Sequence, residues 1–340
     1  MNDIILDVKN LKVHFDTDDG VVKAVDGVDF TLRRNSTLGI VGESGCGKSV
    51  TAFSILQLIT KPGHLVDGQM LFYGADANDS DIPIDLAAMH PRGSEIRQYR
   101  GNVISMIFQE PMNSLSPVYT IGQQIIELIQ EHKPMSNQMA RQHAIEMLRR
   151  VGIPHPERNV DSYTFQLSGG MRQRAMIAMA LALNPTILIA DEPTTALDVT
   201  TQAQILDLMV ELREQYDSAI ILITHDLGVV AEACDEVVVM YLGEVVEQAD
   251  VDSLFFDPQH PYTQALLRSI PNLDDDDIGQ RLDPIEGSVP SPFNRPTGCL
   301  FHDRCTEFMP GRCDKIHPQL RTLPDGRRVR CLLYDGEEVS

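Results

Sequence analysis

Gly42-Glu43-Ser44-Gly45-Cys46-Gly47-Lys48-Ser49 fits the spacing G-x-x-x-x-G-K-[ST] at every fixed position. Glycines in that pattern let the backbone wrap phosphate oxygens, and successive N–H groups at a helix start supply positive potential. Lys48 is placed to reach β- and γ-phosphates as a point charge, and the Ser49 hydroxyl to ligate Mg²⁺. The candidate nucleotide site therefore runs from Gly42 to Val50. A second constellation is Ile187-Leu188-Ile189-Ala190-Asp191-Glu192, four apolar residues followed by two acids. The apolar run buries a central strand, and acids at its C-terminal end emerge at the ligand edge of a sheet. Asp191 can then hold Mg²⁺ through water, while Glu192 is placed to polarise an attacking water. A third is Ser168-Gly169-Gly170 before Ala175, Ile177, Ala178 and Leu181, another helix start with bare amides suited to an anion. A second anion site has no evident use in one chain carrying one phosphate loop.

Positioning these groups requires alternating strands and helices. Ile5, Leu6, Val8, Leu11, Val13 and Phe15 open the chain in strand rhythm, and Val21–Phe30 continues it beyond the Asp18-Asp19-Gly20 turn. Leu38–Val41 is a short apolar strand that enters the phosphate loop, and from Ser49 onward Ala52, Phe53, Ile55, Leu56, Leu58 and Ile59 recur at helical spacing. Residues 76–100 read as a polar surface insertion and Val103–Phe108 as a strand. Residues 121–152 and Leu167–Leu183 have helical patterns, and Ile187–Ala190 forms a buried strand after Pro185. Helix, strand, helix and a strand pair follow through Gln248. The expected fold is α/β with a mainly parallel core sheet, an N-terminal antiparallel β part, a helical subdomain near 110–183, and a small irregular Cys-rich C-terminal extension. The expected boundary lies at 256/257, where prolines and the Asp274–Asp277 run begin a linker-like stretch; that acid run reads as a solvated loop.

Composition narrows the function. Among 340 residues, 49 acidic against 28 basic give a net charge of −21, which disfavours nucleic-acid partners and adhesion to anionic lipid. No apolar run approaches the roughly 18 residues of a membrane span, and no basic-then-apolar leader opens the chain. These features predict a cytoplasmic setting with reduced thiols. Four of six cysteines, Cys299, Cys305, Cys313 and Cys331, crowd together near the C-terminus with gaps of five, seven and seventeen residues. Disulfides are disfavoured in that compartment. Tetrahedral Zn²⁺, a [4Fe–4S] cluster and reduced packing residues all remain open on spacing.

Leu167-Ser168-Gly169-Gly170-Met171-Arg172-Gln173-Arg174 resembles the signature motif of ABC-type ATPases, usually LSGGQ. Gln109 within Ile107-Phe108-Gln109-Glu110-Pro111, Ala196-Leu197-Asp198, and His225 within Ile223-Thr224-His225-Asp226 stand in the family's order for the Q-loop, D-loop and H-loop. Met171 in place of Gln, and Thr195 in place of Ser, are departures that remove no group the mechanism needs. The resemblance, over about 4–255, implies an ATPase with Glu192, His225 and Gln109 as catalytic groups. It further implies Mg²⁺ at Ser49, Gln109 and Asp191, adenine stacked on Phe15, and Ser168, Gly169, Gly170 and Asp198 closing over nucleotide held by a second subunit.

His260-Pro261-Tyr262-Thr263-Gln264-Ala265-Leu266-Leu267 and Gly298-Cys299-Leu300-Phe301-His302-Asp303-Arg304-Cys305 resemble the C-terminal extension of dipeptide and oligopeptide importer ATPases, nearest the D-type subunits of dipeptide permeases. That resemblance implies a [4Fe–4S] cluster on the four cysteines. It also implies an F-type ATPase partner, two transmembrane permease subunits, indirect dependence on an extracytoplasmic peptide-binding protein, and a peripheral place on the cytoplasmic face of the inner membrane. Nickel or another small solute as cargo stays open, because the ATPase never touches cargo. A non-transport ABC ATPase is disfavoured by acidity, by one cassette, and by only 118 positions between Ser49 and Leu167.

Overall fold

The computed structural model describes residues 3–74, 82–109, 114–194, 197–269 and 285–336. The expectations placed on Glu110, Pro111, Thr195, Ala196 and the Asp274–Asp277 run lie outside the described residues. In chain order the elements are β1 (Ile4–Thr17), β2 (Gly20–Arg33), β3 (Thr37–Val41), α1 (Lys48–Ile55), β4 (Gly63–Phe72), β5 (Ile84–Asp85), α2 (Ser94–Tyr99) and β6 (Ile104–Ile107). Next come α3 (Ile121–His132), α4 (Asn137–Arg150), α5 (Pro156–Asn159), α6 (Gly169–Leu181), β7 (Ile187–Asp191), α7 (Val199–Tyr216), β8 (Ala219–Ile223) and α8 (Leu227–Ala233). The chain continues with β9 (Glu236–Tyr241), β10 (Glu244–Asp250), α9 (Val251–Phe256), α10 (Pro261–Arg268), β11 (Arg321–Thr322) and β12 (Arg328–Val329).

Local chemistry accounts for the boundaries. Thr120 opens α3 with a reciprocal capping box to Gln123, Ser136 caps α4, and Asp226 and Asp250 accept first-turn N–H groups of α8 and α9. The apolar spacing predicts helix through Ile59, yet α1 stops at Ile55. Gln57 turns left-handed at φ 51°, with Gln57 N–H on the Ser54 carbonyl and Leu58 N–H on that of Phe53, a Schellman end. Leu58 and Ile59 therefore lie beyond the helix that their spacing suggested.

The chain divides into two interleaved compact units. The first comprises Met1–Ile5, Leu32–Thr37 and Tyr73–Ile223. In it β6, β7 and β8 run parallel, with Ile104 opposite Ile187 and Ile187 opposite Ala219. All five residues of β7 are buried, which is why its apolar run carries no alternation. Helices α3, α4 and α6 pack on one another and bury Ile125, Ile129, Ala144, Leu148, Ile177 and Ala178.

The second unit comprises Leu6–Thr31, Leu38–Phe72 and Thr224–Ser340. Here β1 pairs antiparallel with β4, β3 runs parallel to β9, and β10 turns back antiparallel on β9. Strand β12 joins β10, with Glu247 opposite Val329, so the C-terminal segment extends this sheet. Its own small core holds Leu300, Phe301, Cys313, Leu323, Val329 and Leu332. Phe301 packs edge-on against Tyr241 and Tyr262, with ring centroids 5.4 and 5.3 Å apart. The fully buried Glu247 carboxylate accepts N–H bonds from Gln259 (2.7 Å) and His260 (2.8 Å), and burial pushes its pKa up.

Candidate nucleotide site

In the second unit, buried β3 delivers the chain into Gly42–Gly47, and α1 begins at Lys48. Gly47 sits at φ 101°, and a Cβ there would lie 2.2 Å from the Ala24 carbonyl oxygen. Gly42, at φ 146°, would meet the Met240 carbonyl oxygen at the same distance. These two positions accept no side chain without moving backbone. Lys48 is only 7% exposed, and its Nζ donates to the carbonyls of Gly42 (2.7 Å) and Glu43 (3.1 Å). The loop thus centres an ammonium group beside the amide-rich start of α1, where no side chain caps the helix. That combination of dipole, amides and fixed charge suits phosphate.

Glu43, an unconstrained position in the loop pattern, is held from outside the loop. Its N–H donates to Tyr262 Oη at 2.9 Å, and its carboxylate takes a two-pronged grip from Arg304 at 2.7 and 3.0 Å. The paired carboxylate raises the already high pKa of Arg304. Tyr262 and Arg304 lie 219 and 261 positions from Glu43, and no local pattern connects them to it. Cys46 is buried, with its thiol pKa pushed up by desolvation. Phe15 lies half-buried on β1 opposite Gly63, where a Cβ would come within 2.5 Å of the ring, so only glycine lets the phenyl lie there. His225 stands exposed between β8 and the Asp226 cap of α8.

The first unit carries the acidic groups. Asp191 ends β7 and is 1% exposed. Glu192 follows at φ 48°, its N–H bonded to the Ile223 carbonyl at 2.9 Å. Gln109, just past β6, donates from Nε2 to Glu192 Oε2 at 3.0 Å. The structure therefore brings together two of the three expected catalytic residues of this chain within one unit. Ser168 caps α6 by accepting the Met171 N–H, with Ser168 and Gly169 exposed. Asp198 caps α7 through Thr201, whose hydrogen bonds lower the carboxyl pKa. Gln173, buried on the signature helix, donates to the Pro193 carbonyl next to Glu192, a link that the motif spacing did not disclose. The oxygen donors of Ser49, Gln109 and Asp191 have the hard character that Mg²⁺ takes.

The four C-terminal cysteines are free thiols. Burial, with a smaller contribution from the neighbouring cysteines, raises Cys299 to about 12 and Cys331 to about 11, and Cys305 is raised as well. Among the described residues, however, no group of three or more His, Cys, Asp or Glu converges as a metal-holding set. The metal and iron–sulfur expectation for these cysteines thus gains no support from the structure. Cys313 is buried, and Cys299, Cys305 and Cys331 are partly exposed.

Comparison with known proteins bears on both units. The family model described as ABC transporter matches residues 25–195, and that of the oligopeptide/dipeptide transporter C-terminal region matches 246–313. The oligopeptide transport ATP-binding protein AppD of Bacillus subtilis is 49% identical over 98% of each chain. The dipeptide transport ATP-binding protein DppD of Escherichia coli is 45% identical over 96% of each. Among solved structures, the ATP-binding cassette MJ0796, described as a dimer in a post-hydrolysis state bound to ADP and Pi, superposes with TM-score 0.64 at 26% identity. That match covers 73% of this chain and 99% of the cassette.

Proposed function

Because the chain belongs to the ABC transporter ATPase family, in its oligopeptide/dipeptide branch, we propose that it hydrolyses ATP to energise import of di- or oligopeptides across a cell membrane. The observation that carries this reading is the near-full-length likeness to peptide-transport ATP-binding proteins, extension included. The matched residues include those that build the phosphate loop and end β7.

In that role Gly42–Val50 binds the triphosphate, Lys48 faces the β- and γ-phosphates, and Ser49 and Asp191, with Gln109, hold Mg²⁺, which supplies charge neutralisation on the transferred phosphoryl group. Glu192 takes a proton from the attacking water, Gln109 orients the carboxylate or the water, and His225 contacts the γ-phosphate. Phe15 stacks on adenine. The helix start at Ser168–Gly170, with Asp198, caps nucleotide on a partner ATPase of F-type, so that two subunits enclose two nucleotides. Residues 1–256 form the ATPase domain with its helical part near 110–183, and 257–340 the peptide-importer extension.

Among the described residues no helix is long and apolar enough to cross a membrane. The working place we assign is the cytoplasmic face, docked on two permease subunits, with cargo chosen by an extracytoplasmic binding protein. Four cysteine thiols in one short segment have the soft-donor chemistry of a [4Fe–4S] cluster or Zn²⁺. Holding either requires them to close into a coordination shell, and ATP hydrolysis uses no step there. Iron and sulfide near four each in anaerobically purified protein would support the cluster; zinc would replace it, and neither would leave packing cysteines.

The functional test is genetic and biochemical together. Deletion should abolish growth on a panel of dipeptides as sole amino-acid source, and the tagged chain should co-purify with permeases. Salt-sensitive binding to DNA or rRNA without permeases would sink the importer reading.

A further inference from the structure

The phosphate loop is held from outside its own strand–loop–helix. Arg304, whose side chain is 4% exposed, grips Glu43 Oε2 and Oε1 at 2.7 and 3.0 Å. Its guanidinium lies over the rings of Tyr241 and Phe301, 5.9 Å from each centroid, and its Nε donates to the Glu286 carbonyl at 3.0 Å. Packing and hydrogen bonds therefore fix the fork before it meets the carboxylate. Every polar point of Glu43 is engaged: the N–H by Tyr262 Oη, the carboxylate by Arg304, and the carbonyl by Lys48 Nζ. A carboxylate at this position is adverse to a triphosphate. Unopposed, it repels the anion and competes for the Lys48 ammonium, two positions of the same loop drawing together into a pair of their own.

We propose that Arg304, assisted by Tyr262, is a positioning residue of the nucleotide site: by neutralising and locking Glu43 it keeps Lys48 available to phosphate, so that the C-terminal extension sets ATP affinity. This rests on reading residues 42–49 as the phosphate loop. It gives the extension a task that requires no bound metal. The strut also explains why an arginine next to Cys305 lies buried against the core of the second unit rather than in solvent.

The test uses the full-length chain assembled with its companion ATPase and permeases. It measures ATP Kd with a fluorescent nucleotide, and KM and kcat separately, for Arg304→Ala, Arg304→Lys, Tyr262→Phe, Glu43→Gln and the pair Arg304→Ala with Glu43→Gln. Arg304→Ala should raise Kd and KM roughly ten-fold with kcat within about three-fold, the scale of a lost charged hydrogen bond. Arg304→Lys, charged but without the fork, should raise KM about three-fold, and Tyr262→Phe by a similar factor. Removing the Glu43 charge should restore most of the Arg304→Ala loss, which a merely structural role for the arginine would not permit. The proposal is overturned if Arg304→Ala leaves KM within two-fold, or if the double variant is no better than the single. Should Arg304→Ala not fold, an unchanged KM for Arg304→Lys overturns it equally. Lys48→Ala separates the two levels: nucleotide binding that survives Lys48→Ala refutes the phosphate-loop reading itself, whereas its loss beside an unaffected Arg304→Ala refutes only the strut.

Discussion

Gln109 Nε2 donates to Glu192 Oε2 at 3.0 Å, and Glu192 holds the left-handed conformation at φ 48° that non-glycine residues rarely adopt. A strained backbone at the residue after a buried strand aims its side chain away from the strand direction, and the glutamine fixes where the carboxylate ends. A base held in this way can take a proton from water without first finding its place. Glu192→Gln keeps shape and the hydrogen bond to Gln109, but removes the proton acceptor. Phosphate release should fall about 10²–10⁴-fold while nucleotide Kd changes less than about three-fold. The variant should also accumulate as a closed pair of subunits in ATP, visible by size exclusion. Turnover near that of the natural chain would remove Glu192 from the mechanism.

The glycines of the loop make a graded prediction. At Gly47 both φ and the Ala24 carbonyl forbid a Cβ, whereas at Gly45 φ is 81° and a Cβ would meet nothing within 4 Å. Gly45→Ala therefore bears only backbone strain, about 1 kcal/mol, and Gly47→Ala adds a displacement of the β2 backbone, for a total of at least about 2–3 kcal/mol. Thermal unfolding without nucleotide should show the larger drop for Gly47→Ala. Equal drops would mean that the Ala24 contact does not constrain the loop.

Much of this was written locally in the chain, and the exceptions share one cause. Strands β7 and β8 are runs of apolar residues bounded by breakers, and the phosphate loop, the signature helix start and the acids after β7 each occupy a few consecutive positions, so spacing is sufficient to find them. Gln109 and Glu192 are 83 positions apart, and Arg304 and Glu43 are 261 apart; such contacts are products of packing, which periodicity does not encode. Gln57 ends α1 without the glycine that usually marks a left-handed stop, so nothing in residue type warned that Leu58 and Ile59 leave the helix. For the cysteines the reverse holds: proximity in sequence suggested a metal-holding set, and the four do stay neighbours, but among the described residues no group of three or more His, Cys, Asp or Glu converges as one.

Gln173 tests whether the signature helix steadies the segment that carries Glu192. It is 2% exposed and donates to the Pro193 carbonyl, one residue beyond Glu192. Gln173→Met preserves volume and leaves that buried carbonyl unpaired, a loss of about 1–3 kcal/mol. Turnover should fall several-fold more than ATP Kd rises, because the affected residue follows the acid rather than the phosphate loop. A larger effect on Kd than on kcat would place the function of Gln173 elsewhere.

His260 gives the extension a pH dependence of known sign. It is fully buried, its Nδ1 accepts the Tyr262 N–H at 3.0 Å at the start of α10, and burial lowers its pKa from 6.5 to about 3. The folded chain therefore keeps it neutral, while the unfolded chain takes up a proton as pH falls below about 6.5. The stability it contributes is complete above that value and is lost progressively down to about pH 3, with a slope of one proton at most. Glu247, whose pKa burial raises, acts in the opposite direction, so the comparison must isolate the histidine. His260→Asn does this, because asparagine also caps a helix start but does not titrate. The fall in melting temperature between pH 7.5 and 5.0 should be smaller in His260→Asn than in the natural chain. An equal or steeper fall would show that His260 is not the group whose protonation loosens the extension, and the same melts would reveal whether the Glu43 strut, seated on the same aromatic cluster, weakens with it.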